Sequence, residues 1–425
     1  MTSFEASREF AQSRDAADEL RRFRDFFNFP VDKDGRRNIY LCGNSLGLQS
    51  KLAVQYIGEE LEKWADLCVD GHFQGRRPWL QYHRETTRGL ADLTGANENE
   101  VVAMNSLTVN LHLMMTTFYR PTDSRFKIVL ESTAFPSDRY AAMSQIRLHG
   151  YDPDHALLEW KPRDDDELHM EDLEAMLAEH GEQVALLLLP GVQYYNGQVL
   201  DMAKLCRLAK KTGCAIGLDL AHAIGNVPMQ LHDWGPDFAI WCTYKYLNTG
   251  PGSVGGAFVH TRHLDSADRK RLLGWWSNEE ATRFKMAREF VPAEGVDQWQ
   301  LSCPAVLAQA PLLASLEIFE EAGIDRLRAK SVELTGYLDF LLREGFAGSV
   351  ESITPQDSRG CQLSLVVCDN TLDSKSVFRK LEELNVTVDW REHNVIRVAP
   401  VPLYNIFEDV YEFTERLNIA LGADQ

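Results

Sequence analysis

Five short apolar runs, at residues 126–130, 184–189, 215–218, 238–241 and 257–259, contain almost no polar alternation. A strand that is apolar on every side chain is buried on both faces, as in a mostly parallel sheet covered by helices. The segments between them carry a helical period instead. In 201–211, Met202, Leu205, Leu208 and Ala209 share one helical face, and Gly213 follows as a C-cap residue. A second helix is expected over 107–119, with Asn105 or Ser106 at its N-cap and Pro121 past its end. The alternation runs from about residue 45 to about residue 300, the signature of an α/β domain.

After Pro304 the pattern changes. Residues 305–322 read as a long helix, followed by strands at 362–368, 386–390 and 395–399 and helices at 374–384 and 406–421. That is a small α+β domain. Residues 1–35 form a charged, helical arm ending near Phe26-Phe27-Asn28-Phe29-Pro30. The expected division is an arm over 1–44 packing with the small domain, a large domain over 45–305 and a small domain over 306–425. No repeat or long linker interrupts it.

The 425 residues carry a net charge of −19, which argues against nucleic acid and against anionic membranes. It leaves small-molecule substrates open. The eight cysteines are scattered without a C-x-x-C pair or zinc spacing, so no metal site is expected and the thiols read as reduced. The N-terminus lacks an apolar signal core and sets Glu5, Glu9, Asp15, Asp18 and Glu19 among its arginines, unlike a mitochondrial presequence. The longest apolar stretch stops at Pro190-Gly191, too short to span a bilayer. A cytoplasmic location is expected.

The chemistry centres on Lys245, in Thr243-Tyr244-Lys245-Tyr246-Leu247-Asn248 before the turn Gly250-Pro251-Gly252. Upstream, Asp219 ends a strand-like run and His222 follows it. A lysine amine forms a Schiff base with pyridoxal 5'-phosphate (PLP), and an upstream aspartate can keep the cofactor's pyridine nitrogen protonated. A buried Asp219 also demands a cationic partner. The helix start Asn105-Ser106-Leu107-Thr108 suits a phosphate, although helix capping alone also explains it. Phe135, in Phe135-Pro136-Ser137-Asp138 after a strand, is placed to stack on a planar ring or simply to turn into a helix. Arg397 is a cation inside an apolar strand, either a carboxylate clamp or half of an interdomain ion pair. The stretch 250–255 matches G-x-G-x-x-G, but a strand rather than a helix follows, so the dinucleotide reading fails.

Taken together these segments closely resemble the kynureninase family of fold-type I PLP enzymes, in the class V aminotransferase group. The likeness runs through Cys42-Gly43-Asn44-Ser45-Leu46-Gly47, Arg77-Pro78-Trp79, Asn105-Ser106-Leu107-Thr108 and Phe135-Pro136-Ser137-Asp138. It continues in Asp219-Leu220-Ala221-His222-Ala223, Leu231-His232-Asp233-Trp234-Gly235, Tyr244-Lys245-Tyr246-Leu247-Asn248, Gly274-Trp275-Trp276 and Arg397-Val398-Ala399-Pro400-Val401-Pro402.

The resemblance implies hydrolytic cleavage of L-kynurenine or 3-hydroxy-L-kynurenine to (3-hydroxy)anthranilate and L-alanine, in tryptophan catabolism and NAD-related metabolism. It implies that Lys245 holds PLP and moves the substrate's Cα proton, that Tyr244 is an acid/base, and that Asp219 pairs with the pyridinium beside His222. Phe135 would stack on the ring, while Leu107, Thr108, Pro136, Ser137 and Asp138 would seat the cofactor. Arg397 would grip the substrate carboxylate, with His72, Ser302 and Asn44 completing the substrate set. Trp275 and Cys303 would reach the phosphate from a neighbouring subunit, so a homodimer with shared sites is implied.

Two positions depart from the family pattern: Cys303 replaces an amide or hydroxyl residue, and Pro190 replaces a hydroxyl residue. Two alternatives remain at this point. One is a cysteine desulfurase or lyase on the same scaffold, using Cys361 or Cys303. The other is a PLP-binding regulator without turnover.

Overall fold

A computed structural model describes residues 4–265, 269–368 and 372–422. Its large sheet has seven strands: β1 (Val101–Ala103), β2 (Lys127–Glu131), β3 (Leu157–Trp160), β4 (Val184–Pro190), β5 (Ala215–Asp219), β6 (Phe238–Trp241) and β7 (Gly256–Val259). Their order is β1-β7-β6-β5-β4-β2-β3. Only β7 runs against its neighbours; all other pairings are parallel. The five apolar runs read from the sequence are β2, β4, β5, β6 and β7. The two strands that escaped the pattern have physical excuses. β1 is three residues long, and β3 is a part-exposed edge strand interrupted by Glu159.

Chain order reverses beside β2, since β3 lies on one side of it and β4 on the other. Such a switch point opens a crevice at the carboxyl ends of the strands. Here those ends are Glu131, Pro190 and Asp219, and Pro190 stands directly opposite Asp219 in the β4–β5 ladder.

The expected helices form at Leu107–Phe118, with Ser106 as N-cap, and at Met202–Thr212. In the second, Asp201 Oδ1 accepts from Lys204 N at 2.8 Å and Gly213 closes the helix at φ +71°. Val306–Ala322 packs along Lys51–Leu67. The Lys51–Leu67 helix was unreadable because its apolar Val54, Leu61 and Trp64 face outward, while Ala53, Tyr56 and Glu60 are buried.

In the C-terminal part, β8 (Val350–Ser352), β9 (Leu363–Val367), β10 (Asp389–Arg391) and β11 (Val395–Val398) form an antiparallel sheet ordered β8-β9-β11-β10. The single strand expected over 386–390 is in fact two. Val386–Thr387 pairs in parallel with Ile39–Tyr40 of the N-terminal arm, and Asp389–Arg391 joins β11. The arm's Ala11, Ile39 and Leu41 share an apolar cluster with Tyr337, Phe407 and Phe413. Asp15 caps the terminal helix Phe407–Ala420 by accepting from Phe407 N at 2.7 Å and Glu408 N at 3.0 Å.

Packing between β5 and β6 leaves no room at Gly217, where an added Cβ would lie 2.1 Å from Phe238 Cζ. Gly217→Ala should therefore destabilise the chain by about 1–3 kcal/mol through overpacking. Thermal denaturation checks this: the midpoint should fall by several degrees, and an unchanged midpoint contradicts the tight β5–β6 contact.

Candidate active site

The crevice at the strand ends holds a cavity of about 170 Å³. Leu107, Thr108, Phe135, Ser137, Asp138, Asp219, His222, Tyr244 and Lys245 all line it, with Glu131, Pro190, Val192, Tyr194 and Ala221. Residues from five separate elements thus meet where the topology opens the sheet. Pro136 occupies the first turn of the helix Pro136–Leu148, with Phe135 as its N-cap. Its fixed φ suits that position.

Lys245 Nζ lies 2.9 Å from His222 Nε2. Burial, then the charge of Lys245, holds the His222 imidazole well below its ordinary pKa, so it is neutral and accepts from the lysine. The lysine segment is held from behind by the residues that follow the arm. Gly47 N donates to Tyr244 O at 2.8 Å, and a Cβ on Gly47 would lie 2.3 Å from Lys245 O. Only glycine allows that approach. Burial also raises the Tyr244 phenol above its ordinary value, so it keeps its proton.

The acidic end departs from expectation. Asp219 Oδ1 accepts from Ala221 N at 2.7 Å, but among the described residues no ion pair involves Asp219, Asp138 or Glu131. The cationic partner expected for Asp219 is not found among the described residues. Its neighbours are instead more carboxyls. Burial, then the charge of Asp219, pushes Asp138 well above its usual range, where it donates a hydrogen bond to Asp219. Burial pushes Glu131 up to about 8. Arg139, the nearby cation, is paired with Glu159 at 2.6 Å. An acidic cluster lacking a cation fits a protonated pyridine nitrogen.

The opposite end fits a phosphate. The helix Leu107–Phe118 begins here with no side chain capping its free N–H groups, and Thr108 adds a hydroxyl. Gly255 lets the turn before β7 pass close by: its Cβ would lie 3.1 Å from Leu107 N and 2.9 Å from Trp241 O. Between the two ends, the Phe135 ring meets Tyr194 edge-on at 5.2 Å and 86°, and remains 46% exposed. It has a face to offer a planar ring.

The remaining sequence candidates fall outside the cavity wall. Arg397 is buried behind Tyr194, donating from Nη1 to Tyr194 O at 2.7 Å. Asn44 is buried beside it, donating to Gln362 Oε1 at 3.0 Å. His72 packs edge-on against Trp79 at 5.3 Å, and Trp275, Ser302 and Cys303 are exposed. One chain does not bring those four into the cavity. Sequence reasoning missed Glu131 and Tyr194. Glu131 ends β2 as Asp219 ends β5, so the matching strand-end acids were the available signal; Tyr194 carried none. Cys361 is buried and its thiol is pushed up to about 12, which disarms it as a nucleophile.

A lysine and an aspartate at the switch point of such a sheet define a fold-type I PLP-dependent enzyme. Solved structures agree on the fold. The apo cysteine desulfurase of Thermococcus onnurineus superposes with a TM-score of 0.75 at 19% identity, over 91% of this chain and 94% of that one. A variant of C-DES with glycine covalently linked to its PLP cofactor gives 0.74 at 18%, over 90% and 96%. Sequence relatives are far nearer. Kynureninases of Xanthomonas campestris pv. campestris and Myxococcus xanthus are each 51% identical, over 414 and 417 residues, covering 97% of both chains. The kynureninase C-terminal domain model matches residues 327–417. The chain belongs to the kynureninase family.

Glu131 generates a pH prediction for the cofactor-free protein. Its folded pKa is about 8 against an ordinary 4.5, so between those values the folded chain keeps a proton that the unfolded chain has lost. Stability from this group therefore falls as pH rises through that window. Glu131→Gln removes the penalty. The variant's gain in melting temperature over wild type should be larger at pH 8 than at pH 5, and equal gains would contradict the assignment.

Proposed function

We propose that this chain hydrolyses the Cβ–Cγ bond of L-kynurenine, 3-hydroxy-L-kynurenine or both, releasing (3-hydroxy)anthranilate and L-alanine, with PLP as cofactor. The observation that carries this is 51% identity to kynureninases over 97% of the chain, with Lys245 and Asp219 meeting in one cavity. The reaction belongs to tryptophan catabolism and NAD-related metabolism. When bound, PLP supplies an electron sink that acidifies the substrate's Cα–H and weakens its Cβ–Cγ bond.

The chain's own groups do the rest. Lys245 Nζ holds the cofactor and, once displaced by substrate, takes the Cα proton; neutral His222 orients it through their 2.9 Å hydrogen bond. Asp219, supported by the Asp138 hydroxyl, would keep the pyridine nitrogen protonated. Phe135 would stack on the ring, while Leu107, Thr108 and Ser137 would hold the phosphate end and Pro136 sets the turn. Burial keeps the proton on the Tyr244 phenol, which would act as acid/base: it gives the proton to the ketone oxygen on hydration, regains one from the hydrate as the carbon–carbon bond breaks, and gives that one to the alanine-forming carbon. Arg397 and Asn44 bind the amino-acid end.

The reading extends to a homodimer in the cytoplasm. His72, Trp275, Ser302 and Cys303 would complete the partner's site, which accounts for their distance from this chain's own cavity. Support comes from exposed apolar side chains around Trp275, namely Leu272, Leu273, Phe284 and Met286. A division into an arm (1–44), a large domain (45–305) and a small domain (306–425) belongs to the same reading, with the cavity on the large domain and Arg397 on the small one.

The direct test is kcat/KM for both substrates, with L-alanine identified as product. Cleavage of at least one is expected; cleavage of neither by PLP-loaded protein sinks the function. Two variants separate the roles. Lys245→Ala should lose both turnover and the cofactor that borohydride fixes to the wild-type chain. Asp219→Ala should retain some cofactor while losing about 10²-fold or more in kcat, and near-normal turnover would contradict its role.

A further inference from the structure

Arg397 is more crowded than a simple carboxylate clamp. Its Nη1 is engaged by Tyr194 O, and its Nη2 donates to Ser45 Oγ at 3.1 Å and to Asp389. Asp389 Oδ2 gathers three donors in all, since Ser45 Oγ also donates to it and Arg391 Nη2 lies 2.9 Å away. Both guanidiniums keep a buried Nε with no hydrogen-bond partner. The group sits just behind the cavity wall: the Arg397 guanidinium lies 5.8 Å from the centre of the Tyr194 ring that lines the cavity. The positive charges of Arg397 and Arg391 are both felt at His222.

Geometry and charge point the same way. A guanidinium N–H makes a strong charge-assisted hydrogen bond to a carboxylate. Nη1 and Nη2 of Arg397 are taken by Tyr194, Ser45 and Asp389, so Nε is the nitrogen left for a ligand. Two arginines and one aspartate carry one net positive charge, which a single α-carboxylate neutralises.

We propose that Asp389 is a positioning residue for substrate binding: it anchors Arg397 and Arg391 so that the unpartnered Nε–H of Arg397 and one unit of positive charge receive the α-carboxylate. The inference rests on reading Arg397 as the carboxylate clamp. Asp389 touches neither substrate nor cofactor; it acts through the arginines. An untethered Arg397 would lose the preorganised Nε–H, and a neutral residue at 389 would leave a doubly positive site.

The test uses PLP-loaded enzyme and two probes, L-alanine and L-alaninamide, which differ at the carboxylate. Binding is followed by the absorbance of the bound cofactor. Wild type should prefer alanine by about tenfold or more, and Asp389→Ala should erase most of that preference. In the same variant KM for L-kynurenine should rise about tenfold while kcat at saturation stays within about threefold. Asp389→Asn keeps an acceptor oxygen but removes a charge. It should retain the preference for alanine over the amide, and should favour the dicarboxylate L-aspartate over alanine at least about fivefold more than wild type does.

Three results overturn the proposal. Tighter alanine binding by Asp389→Ala would make Asp389 a competitor of the substrate. Preferences within about twofold of wild type would leave it no role in binding. A joint fall of kcat, KM-limited rate and melting temperature in both variants would make it architectural. If Asp389→Ala does not fold, the aspartate-against-alanine selectivity of Asp389→Asn decides. Wild type that cleaves no kynurenine yet shows these carboxylate effects would support the inference while removing the proposed substrate.

Discussion

Glu131, Asp219 and Asp138 line one cavity at the carboxyl ends of β2 and β5, and among the described residues none of the three has an ion pair. Burial keeps protons on Asp138 and Glu131 at pH values where exposed acids have lost them. Such a cluster is costly in an otherwise apolar interior. On the proposed function, the bound cofactor brings the missing positive charge. The rest of the architecture serves that end. The switch point beside β2 opens the crevice, the helix Leu107–Phe118 aims free N–H groups at its far end, and Gly47 backs the segment that carries Lys245.

The small domain supplies what the sheet cannot. A cofactor cradle alone does not choose an amino acid, and the solved structures with this fold include cysteine desulfurases at 19% identity or less. Choice of substrate must come from other groups near the crevice. On the proposed function Arg397 on β11, tied to Asp389 on β10 and to Ser45 just after the arm, is such a group. The segment that follows the arm therefore touches both halves of the chemistry. Gly47 supports the lysine segment while Ser45, two residues away, braces the arginine.

Much of this was legible in the residues. Uninterrupted apolar runs located the central parallel strands because burial on both faces erases alternation. Lys245, Asp219 and His222 were legible because a charged residue at the end of such a run has few structural uses. Other features depend on tertiary context. β3 carries an edge strand's mixed pattern, and the Lys51–Leu67 helix turns its most apolar side chains outward, so neither advertises its place. Glu131 was readable as an ordinary strand end until Asp138 and Asp219 were seen beside it. The partners of Arg397 come from three separate segments, which no local pattern joins. His72, Trp275, Ser302 and Cys303 matched family positions, yet a single chain leaves them outside the cavity.

The central claim is that the chain leaves a positive charge for the cofactor's ring nitrogen to supply. It is tested most directly by comparing how cofactor-free protein binds PLP and its 1-deaza analogue, in which a C–H replaces that nitrogen. The account predicts that PLP binds at least about 100-fold more tightly, a coupling of about 3 kcal/mol, and that Asp219→Asn removes most of the difference. Equal affinities in the wild-type protein would contradict it, because the carboxyl cluster would then have no cation to wait for.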